Sequence, residues 1–249
     1  MNHPRRRATL TCLAAGLLTA ALPAVSAAAY PDKPIRLVVP FPPGQGADIL
    51  ARLIGQHLAA ALGQPIVVEN KVGAGGIIGT AFAAKAAPDG YTLYMGSSGP
   101  LAIGPHVYKA VGFDTLKDFA PISNIASVTQ VLVTAPASQL ASAKDVVERA
   151  RAQPGMVPFG SAGSGTTSHL TMELFTQMSG ISLSHVPYKG SSTSMIDVMA
   201  GRVPLMFDSL PGVLTNVKSG SLRAIAVASA NGLTNGLIMT IGADASSRP

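Results

Sequence analysis

Residues 35–63 read IRLVVPFPPGQGADILARLIGQHLAAALG, and this stretch defines the first structural unit of the chain. Residues 35–39 are apolar except for Arg36, and most are β-branched, which predicts a buried strand. The prolines and glycines of residues 40–46 predict a loop, because they cannot continue either a strand or a helix. From Ala47 to Leu62 apolar residues recur at helical spacing, and Gly63 is a typical C-terminal stop. The stretch therefore predicts a strand, a loop and a helix in succession.

Beyond this unit, β-branched runs and helical patterns continue to alternate, which is typical of a parallel α/β sheet. The predicted strands lie at 66–69, 91–95, 131–133, 184–186, 204–207 and 223–227, with a short strand ending near Gly160, and the predicted helices lie at 77–86, 143–152, 168–178, 195–200 and 213–218. We therefore predict two α/β lobes, 30–128 and 129–228. The chain is expected to cross between them at 125–130, and the lobes are expected to face each other across a ligand cleft.

Composition excludes several classes of protein. The chain has 249 residues, of which 47% are hydrophobic and 12% charged, so neither a disordered chain nor a coiled coil is expected. The formal net charge is +6, but Arg5, Arg6 and Arg7 precede every predicted element. Without these three, 15 basic residues stand against 12 acidic ones. No basic cluster interleaved with aromatic residues follows, so we predict no nucleic-acid partner.

Residues 1–29 have the layout of an export signal. The arginines are followed by an apolar stretch from Ala8 to about Leu22 and by small residues, with cleavage expected after Ala27 or Ala29. An uncleaved membrane anchor is the alternative, because the apolar run approaches the roughly 20 residues needed to span a bilayer. Cys12, the single cysteine, lies within the signal. We expect a periplasmic protein that contains no disulfide.

Three loops at predicted strand ends are suited to binding an anion. They are the Pro/Gly-rich loop at 40–46, Ser97-Ser98-Gly99 and the Ser/Gly/Thr loop at 161–167. Ligands of open α/β sheets bind beyond the carboxyl ends of the strands, and a helix N-terminus favours negative charge. None of the loops contains Arg, and Lys189 is the only nearby base. This favours a small carboxylate held by N–H and hydroxyl groups. Turns and helix caps without a ligand are the alternative.

Three ionisable residues near these loops have two interpretations each. His169 could donate to a ligand, or it could lock the Ser/Gly/Thr loop by bonding a carbonyl, which we favour. Asp208 ends an apolar strand, where it could meet a ligand ammonium, a hydroxyl or water, or cap the following helix. Asp48 is better suited to capping the first helical turn than to acid catalysis.

Motifs of enzymes, metal sites and nucleotide sites are not found in the sequence. Gly44-Gln45-Gly46 and Gly73-Ala74-Gly75 lack the third glycine of a dinucleotide fingerprint. A Gly-Lys dipeptide and a Gly-x-Ser-x-Gly elbow are also absent. His169 and Glu173 stand four residues apart without a third ligand at a suggestive spacing. We therefore predict no catalytic residues, no metal and no cofactor.

Taken together, an ordered set of short motifs resembles one known family, the substrate-binding proteins of tripartite tricarboxylate transporters, also called Bug-type periplasmic receptors. The motifs that carry the resemblance are Tyr30–Ile35, Val39–Gly44 with Ala47-Asp48, Val68–Asn70, Gly73–Gly76, Ala87–Leu93, Lys117–Ile122, Gly163–His169, His185–Gly190 and Met206–Asp208. The resemblance implies a two-lobed, type II periplasmic-binding-protein-like fold that closes on a small carboxylate, such as a di- or tricarboxylate, an acidic amino acid or an aromatic acid. It also implies integral-membrane transporter subunits as partners, and we expect a monomer.

The resemblance also implies which residues hold the ligand, from the loops of both lobes and often through bridging waters. Carried onto this sequence, these are Pro42, Pro43, Gly44, Gly46, Ala47, Asp48, Ser97, Ser98, Ser161, Gly165, Thr166, Thr167, His169 and Asp208. Gln45 departs from the pattern, because similar proteins usually have glycine there.

The C-terminal part departs further. Residues 229–249 match nothing in the family's pattern, so we predict a divergent tail, a frameshifted or truncated C-terminus and an incomplete first lobe with exposed sheet edges. Two other functions stay open: an exported α/β hydrolytic enzyme, and a truncated fragment that binds no ligand.

Overall fold

The computed structural model describes residues 30–228 and 234–242. The chain divides into two compact units, residues 1–32 and 33–249. In the first unit only residues 30–32 are described, and they form no helix or strand. The predicted export signal and Cys12 lie outside the described residues.

The described strands and helices alternate along the chain. The strands are β1 (Ile35–Val39), β2 (Ile66–Asn70), β3 (Thr92–Ser97), β4 (Phe119–Thr134), β5 (Pro158–Ser161), β6 (Ser184–Pro187), β7 (Leu205–Ser209), β8 (Arg223–Val227) and β9 (Thr234–Gly242). The α-helices are α1 (Gly46–Leu62), α2 (Ile77–Ala84), α3 (Gly104–Val107), α4 (Ala143–Ala152), α5 (Thr167–Ser179), α6 (Ser191–Met199) and α7 (Leu210–Lys218). Gly63 ends α1 in the left-handed conformation, with a φ of 67°, which confirms the predicted stop.

Strand β4 links the two lobes. Its first part, 119–129, pairs with β9 in the sheet order β2-β1-β3-β9-β4. Its last part, 130–134, pairs with β7, and the sheet continues from β7 to β5 and β6. Strand β8 also pairs with the end of β4. One long strand therefore belongs to both lobes.

The sheet is mixed, which corrects the prediction of a parallel sheet. Strand β1 runs parallel to β2 and β3, and β5 runs parallel to β6 and β7. Strand β9 runs antiparallel to β3 and β4, and β4 runs antiparallel to β7 and β8. Strand direction is set by tertiary pairing, which hydrophobic periodicity does not report.

Part of the predicted divergent tail forms a strand that was not predicted from the sequence. Residues 234–242 form β9, which lies between β3 and β4 in the sheet. Residues 237–241 read LIMTI, a run with high strand propensity for which no strand was predicted. Residues 229–233 and 243–249 lie outside the described part of the chain.

Both faces of the sheet are buried. In β1, Ile35, Leu37 and Val39 pack against α1, whereas Val38 packs on the opposite face with Tyr94 and Ala83 of α2. In the second lobe, one face holds Val131 and Met206, and the other holds Leu132 and Phe159. Burial on two faces explains why these strands read as continuous apolar runs.

Two substitutions in β4 test this burial. Leu132 is 0% exposed, so Leu132→Ala should lower the free energy of unfolding by about 2–5 kcal/mol. Ile122, in the same strand, is 51% exposed, and Ile122→Ala should change it by about 0.5 kcal/mol or less. Urea denaturation followed by circular dichroism measures both. Equal losses would contradict the described burial.

Candidate functional site

A small cavity lies where the strand ends of the two lobes face each other. Its volume is about 30 Å³, which is room for about two water molecules. It is lined from the first lobe, from the crossing strand and from the second lobe: Phe41, Gln45, Ala47, Ser97, Gly99, Val128, Gln130, Ala162, Thr166, Thr167, Ser168, Asp208 and Ser209. None of these described lining residues is Lys or Arg. The cavity is therefore polar but contains no cationic side chain.

The first-lobe loop is held in place by Asp48. Its Oδ2 accepts hydrogen bonds from the Gly44 N–H (2.9 Å) and Arg52 Nε (3.0 Å), and its Oδ1 accepts from Asn70 Nδ2 (2.9 Å). Asn70 Nδ2 also donates to the Phe41 carbonyl at 2.8 Å. Burial alone would raise the pKa of Asp48, but these hydrogen bonds and the charge of Arg52 hold it below its ordinary value. Asp48 thus stays ionised and supports the loop.

The second-lobe loop is held by its own hydroxyl groups. Thr166 Oγ1 donates to the Gly163 carbonyl at 2.6 Å, and Ser168 Oγ accepts from the Ala162 N–H at 3.0 Å. Ser161 Oγ accepts from the Gly163 N–H at 3.1 Å. With these bonds made, the first turn of α5 is fixed at the cavity.

A stack of three rings lies beside this loop. The His169 and His185 ring centroids are 3.9 Å apart, and Phe159 stacks on His185 at 4.9 Å. His185 Nε2 shares a hydrogen bond of 2.6 Å with Ser161 Oγ, and His169 Nδ1 accepts from the Gly165 N–H at 3.3 Å. His169 therefore locks the loop, as favoured from the sequence, although its partner is an N–H group and not a carbonyl.

The environment of the stack favours neutral imidazoles. Burial lowers the pKa of His169, with a partial opposing effect from Glu173. Burial and the neighbouring His169 lower the pKa of His185 to about 4. Both rings can then accept hydrogen bonds from the loop at neutral pH.

Two buried polar side chains of the cavity wall have unsatisfied atoms. Asp208 is 3% exposed; its Oδ1 accepts from the Ser209 N–H at 2.8 Å, and its Oδ2 bonds to none of the described residues. Burial raises the pKa of Asp208 to about 6, although the nearby Ser191 hydroxyl and the Ser209 N–H oppose the rise. Gln130, from β4, has an Oε1 with no partner in the described part of the chain. Such groups call for a partner from a ligand or from water.

Hydrogen bonds between described residues span the cleft. Tyr108 Oη donates to the Ser164 carbonyl at 2.8 Å, the Ser191 N–H donates to Gln45 Oε1 at 3.3 Å, and Ser192 Oγ donates to the Pro43 carbonyl at 3.1 Å. The backbones also approach closely: a Cβ on Gly190, whose φ is +152°, would lie 2.2 Å from Pro42 Cγ. The structure therefore shows the cleft closed.

The structure brings only some of the predicted ligand-binding residues to the cavity wall. Those that line it are Ala47, Ser97, Thr166, Thr167 and Asp208. Those that stand behind or beside it are Pro42, Pro43, Gly44, Gly46, Asp48, Ser98, Ser161, Gly165 and His169. A direct ligand contact stays a prediction for all of them, and the closed cleft favours it for the five that line the cavity.

Sequence reasoning did not select several lining residues, notably Gln130, Ser168 and Ser209. Gln130 interrupts the apolar end of β4, and a polar residue within a buried strand was a usable signal. Ser209 directly follows Asp208 at the end of β7 and pairs with Gln130 in the sheet.

No group of three or more His, Cys, Asp or Glu within the described ranges could hold a metal ion, and His169 Nε2 lies 3.5 Å from Glu173 Oε1 as an isolated pair. Within 30–228 and 234–242, no helix has the length and apolar character needed to cross a bilayer.

Two α/β lobes on a shared strand, with a polar cavity between facing strand ends, define the architecture of a two-lobed solute-binding receptor. The chain belongs to the family described as "Tripartite tricarboxylate transporter family receptor", which matches residues 50–236. This is a family of receptors, in agreement with the expectation that the chain is not an enzyme.

Individual relatives support the same family. The chain is 42% identical to Protein BugT of Bordetella pertussis over 212 residues, which cover 85% of this chain and 65% of that protein. A solved periplasmic transporter shares 36% identity with a TM-score of 0.83, covering 87% of this chain and 79% of the other. R. palustris Rpa4515, solved with adipate, shares 32% identity with a TM-score of 0.83, covering 88% and 79%. These matches confirm the two-lobed fold. The chain spans slightly less than two thirds of the length of the curated relatives it matches.

The histidine stack predicts how stability depends on pH. The pKa of His185 is about 4 in the folded protein against 6.5 ordinarily, so between these values the unfolded chain binds the proton and the folded protein does not. The stabilising contribution of neutral His185 is thus present above pH 6.5 and is lost as the pH falls toward 4. His185→Gln should reduce the drop in thermal midpoint between pH 7 and pH 5.

Asp208 changes the stability with pH in the direction opposite to that of His185. Its pKa is about 6 in the folded protein against 3.8 ordinarily, so its contribution to stability is lost as the pH rises through 6. Asp208→Asn should therefore make the thermal midpoint fall more steeply on acidification. Substitution of the exposed His57 by Gln is the control for both. A His185→Gln variant that follows the wild-type profile would contradict the assignment.

Proposed function

We propose that the protein is a periplasmic receptor that captures a small carboxylate in this cavity and presents it to the membrane subunits of a tripartite tricarboxylate-type transporter. Membership of the receptor family supports this, as does the 32% identical relative solved with adipate. The receptor acts as a monomer and needs no nucleic acid, metal or cofactor.

One observation carries the proposal: the first turns of two long helices from opposite lobes meet at one polar cavity. Ala47 lies in the first turn of α1, and Thr167 begins α5, and both residues line the cavity. Helix N-termini present free N–H groups and the positive end of the dipole, so two of them together favour an anion. The carboxylate is then held by oriented N–H and hydroxyl donors without a cationic partner.

Closure follows from the placement of these donors. Because α1 belongs to the first lobe and α5 to the second, a ligand that bonds to both stabilises the closed arrangement relative to an open one. The closed cleft also excludes water, which strengthens each hydrogen bond to the anion. The transporter subunits would recognise this closed form.

A ligand panel tests the proposed function. Mono-, di- and tricarboxylates, amino acids and aromatic acids are screened by thermal shift, and any stabilising ligand is measured by calorimetry. A ligand at 100 times its Kd should add about 2.7 kcal/mol to the free energy of unfolding. A cooperative melt that no carboxylate shifts would contradict the proposal.

A pair of serine variants tests the site itself. Ser97 is buried and lines the cavity, so Ser97→Ala should weaken binding of the ligand identified in the panel about tenfold, because one hydrogen bond to a charged group is lost. Its neighbour Ser98 does not line the cavity, and Ser98→Ala should leave the Kd within about twofold. Equal effects of the two substitutions would place the ligand elsewhere.

A further inference from the structure

Gln45 places an acceptor where an anion would bind. It directly precedes α1, is 8% exposed and lines the cavity. Its side chain crosses the cleft, and its Oε1 accepts a hydrogen bond from the Ser191 N–H of the second lobe at 3.3 Å. The residue therefore occupies space between the lobes and satisfies a donor on the far side.

The group that Gln45 contacts is the N-terminus of α6. This helix spans nine residues, and Ser191 is its first residue. The Ser191 side chain is fully buried, and its hydroxyl faces the Asp208 carboxyl, whose pKa it helps to lower. The hydroxyl and the helix-terminal N–H together are donors suited to a carboxylate, and Asp208 already lies beside the hydroxyl. Gln45 Oε1 accepts the hydrogen bond of this N–H.

The charge of the cavity wall also disfavours a second carboxylate. None of the described lining residues is basic, whereas Asp208 contributes a buried carboxyl group. One ligand carboxylate can be held at the first turns of α1 and α5. A second one would have to displace Gln45 from Ser191 and share the cavity with Asp208.

We propose that Gln45 is a specificity-determining residue that blocks a second anion subsite at Ser191, so that the receptor selects small monocarboxylates over dicarboxylates. This rests on the proposed carboxylate-binding function and names the class of ligand. The closed cavity of about 30 Å³ agrees with it, because Gln45 lines this cavity and its side chain reaches Ser191 of α6.

Matched ligand pairs test the inference by calorimetry. Butyrate and succinate have equal chain lengths and differ by one carboxylate, as do hexanoate and adipate. Wild-type protein should bind the monocarboxylate of each pair at least tenfold more tightly. Gln45→Ala frees the Ser191 N–H and opens the space, so the ratio should move by about tenfold toward the dicarboxylate. Gln45→Met keeps the bulk and should retain most of the preference for monocarboxylates.

The control variant is Ser192→Ala. Ser192 Oγ makes a comparable bond across the cleft, to the Pro43 carbonyl at 3.1 Å, but the residue does not line the cavity. Loss of this hydrogen bond should weaken the binding of both ligands of a pair equally and leave the ratio of their Kd values unchanged. Circular dichroism confirms that each variant is folded.

The outcomes separate the two proposals. Equal wild-type affinities within both pairs, or equal changes in the ratio for Gln45→Ala and Ser192→Ala, would overturn the role of Gln45 while carboxylate binding stands. Failure of the wild type and of every variant to bind any carboxylate would overturn the proposed function and this inference with it.

Discussion

The antiparallel pairing of β4 with β9 along one part and with β7 along the other is the constraint on which the rest of the structure depends. A strand that is hydrogen-bonded into both lobes fixes where the two halves of the sheet meet. Strands β1 and β3 of the first lobe and β5 and β7 of the second then end at the same cleft. The loops after these ends supply most of the cavity wall, and β4 supplies Val128 and Gln130. The site is thus a consequence of one shared strand.

The proposed binding of an anion without a cation rests on how the loops are fixed. Burying a carboxylate is costly unless its oxygens are hydrogen-bonded. Here the donors are already oriented: Asp48 holds the first-lobe loop, and Ser168, Ser161 and the neutral histidine stack hold the second. The charges and hydrogen bonds of these side chains are used to hold the loops. The N–H groups at the cavity would therefore need little reorganisation on binding a ligand. Gln45, which lines the cavity and bonds to Ser191 across the cleft, limits the space between the lobes.

Much of the fold could be predicted from local patterns. Strands β1 and β8 and the C-terminal end of α1 match the predicted positions, because each combines a clear apolar pattern with a clear stop. The first half of β4 was missed, since Pro121, Ser123 and Asn124 have low strand propensity and the pairing there shifts register twice. The start of α6 was missed because Ser191, Ser192 and Thr193 are typical of a loop.

The site was predicted less completely than the fold. Hydroxyl- and glycine-rich loops at strand ends identified Ser97, Thr166 and Asp208 as members of the cavity wall. Contacts across the cleft, such as Gln45 with Ser191, depend on how two distant segments approach, and no local pattern reports that distance.

The most direct test of the account is the distance between the lobes with and without ligand. Spin labels on the exposed residues Gln56 of α1 and Glu148 of α4, in a chain whose single cysteine has been replaced by Cys12→Ser, report it by double electron–electron resonance. Closure on a carboxylate predicts one short, narrow distance distribution at saturating ligand, and a broader one extending to longer distances without ligand. Identical distributions in the two conditions would contradict closure around the ligand.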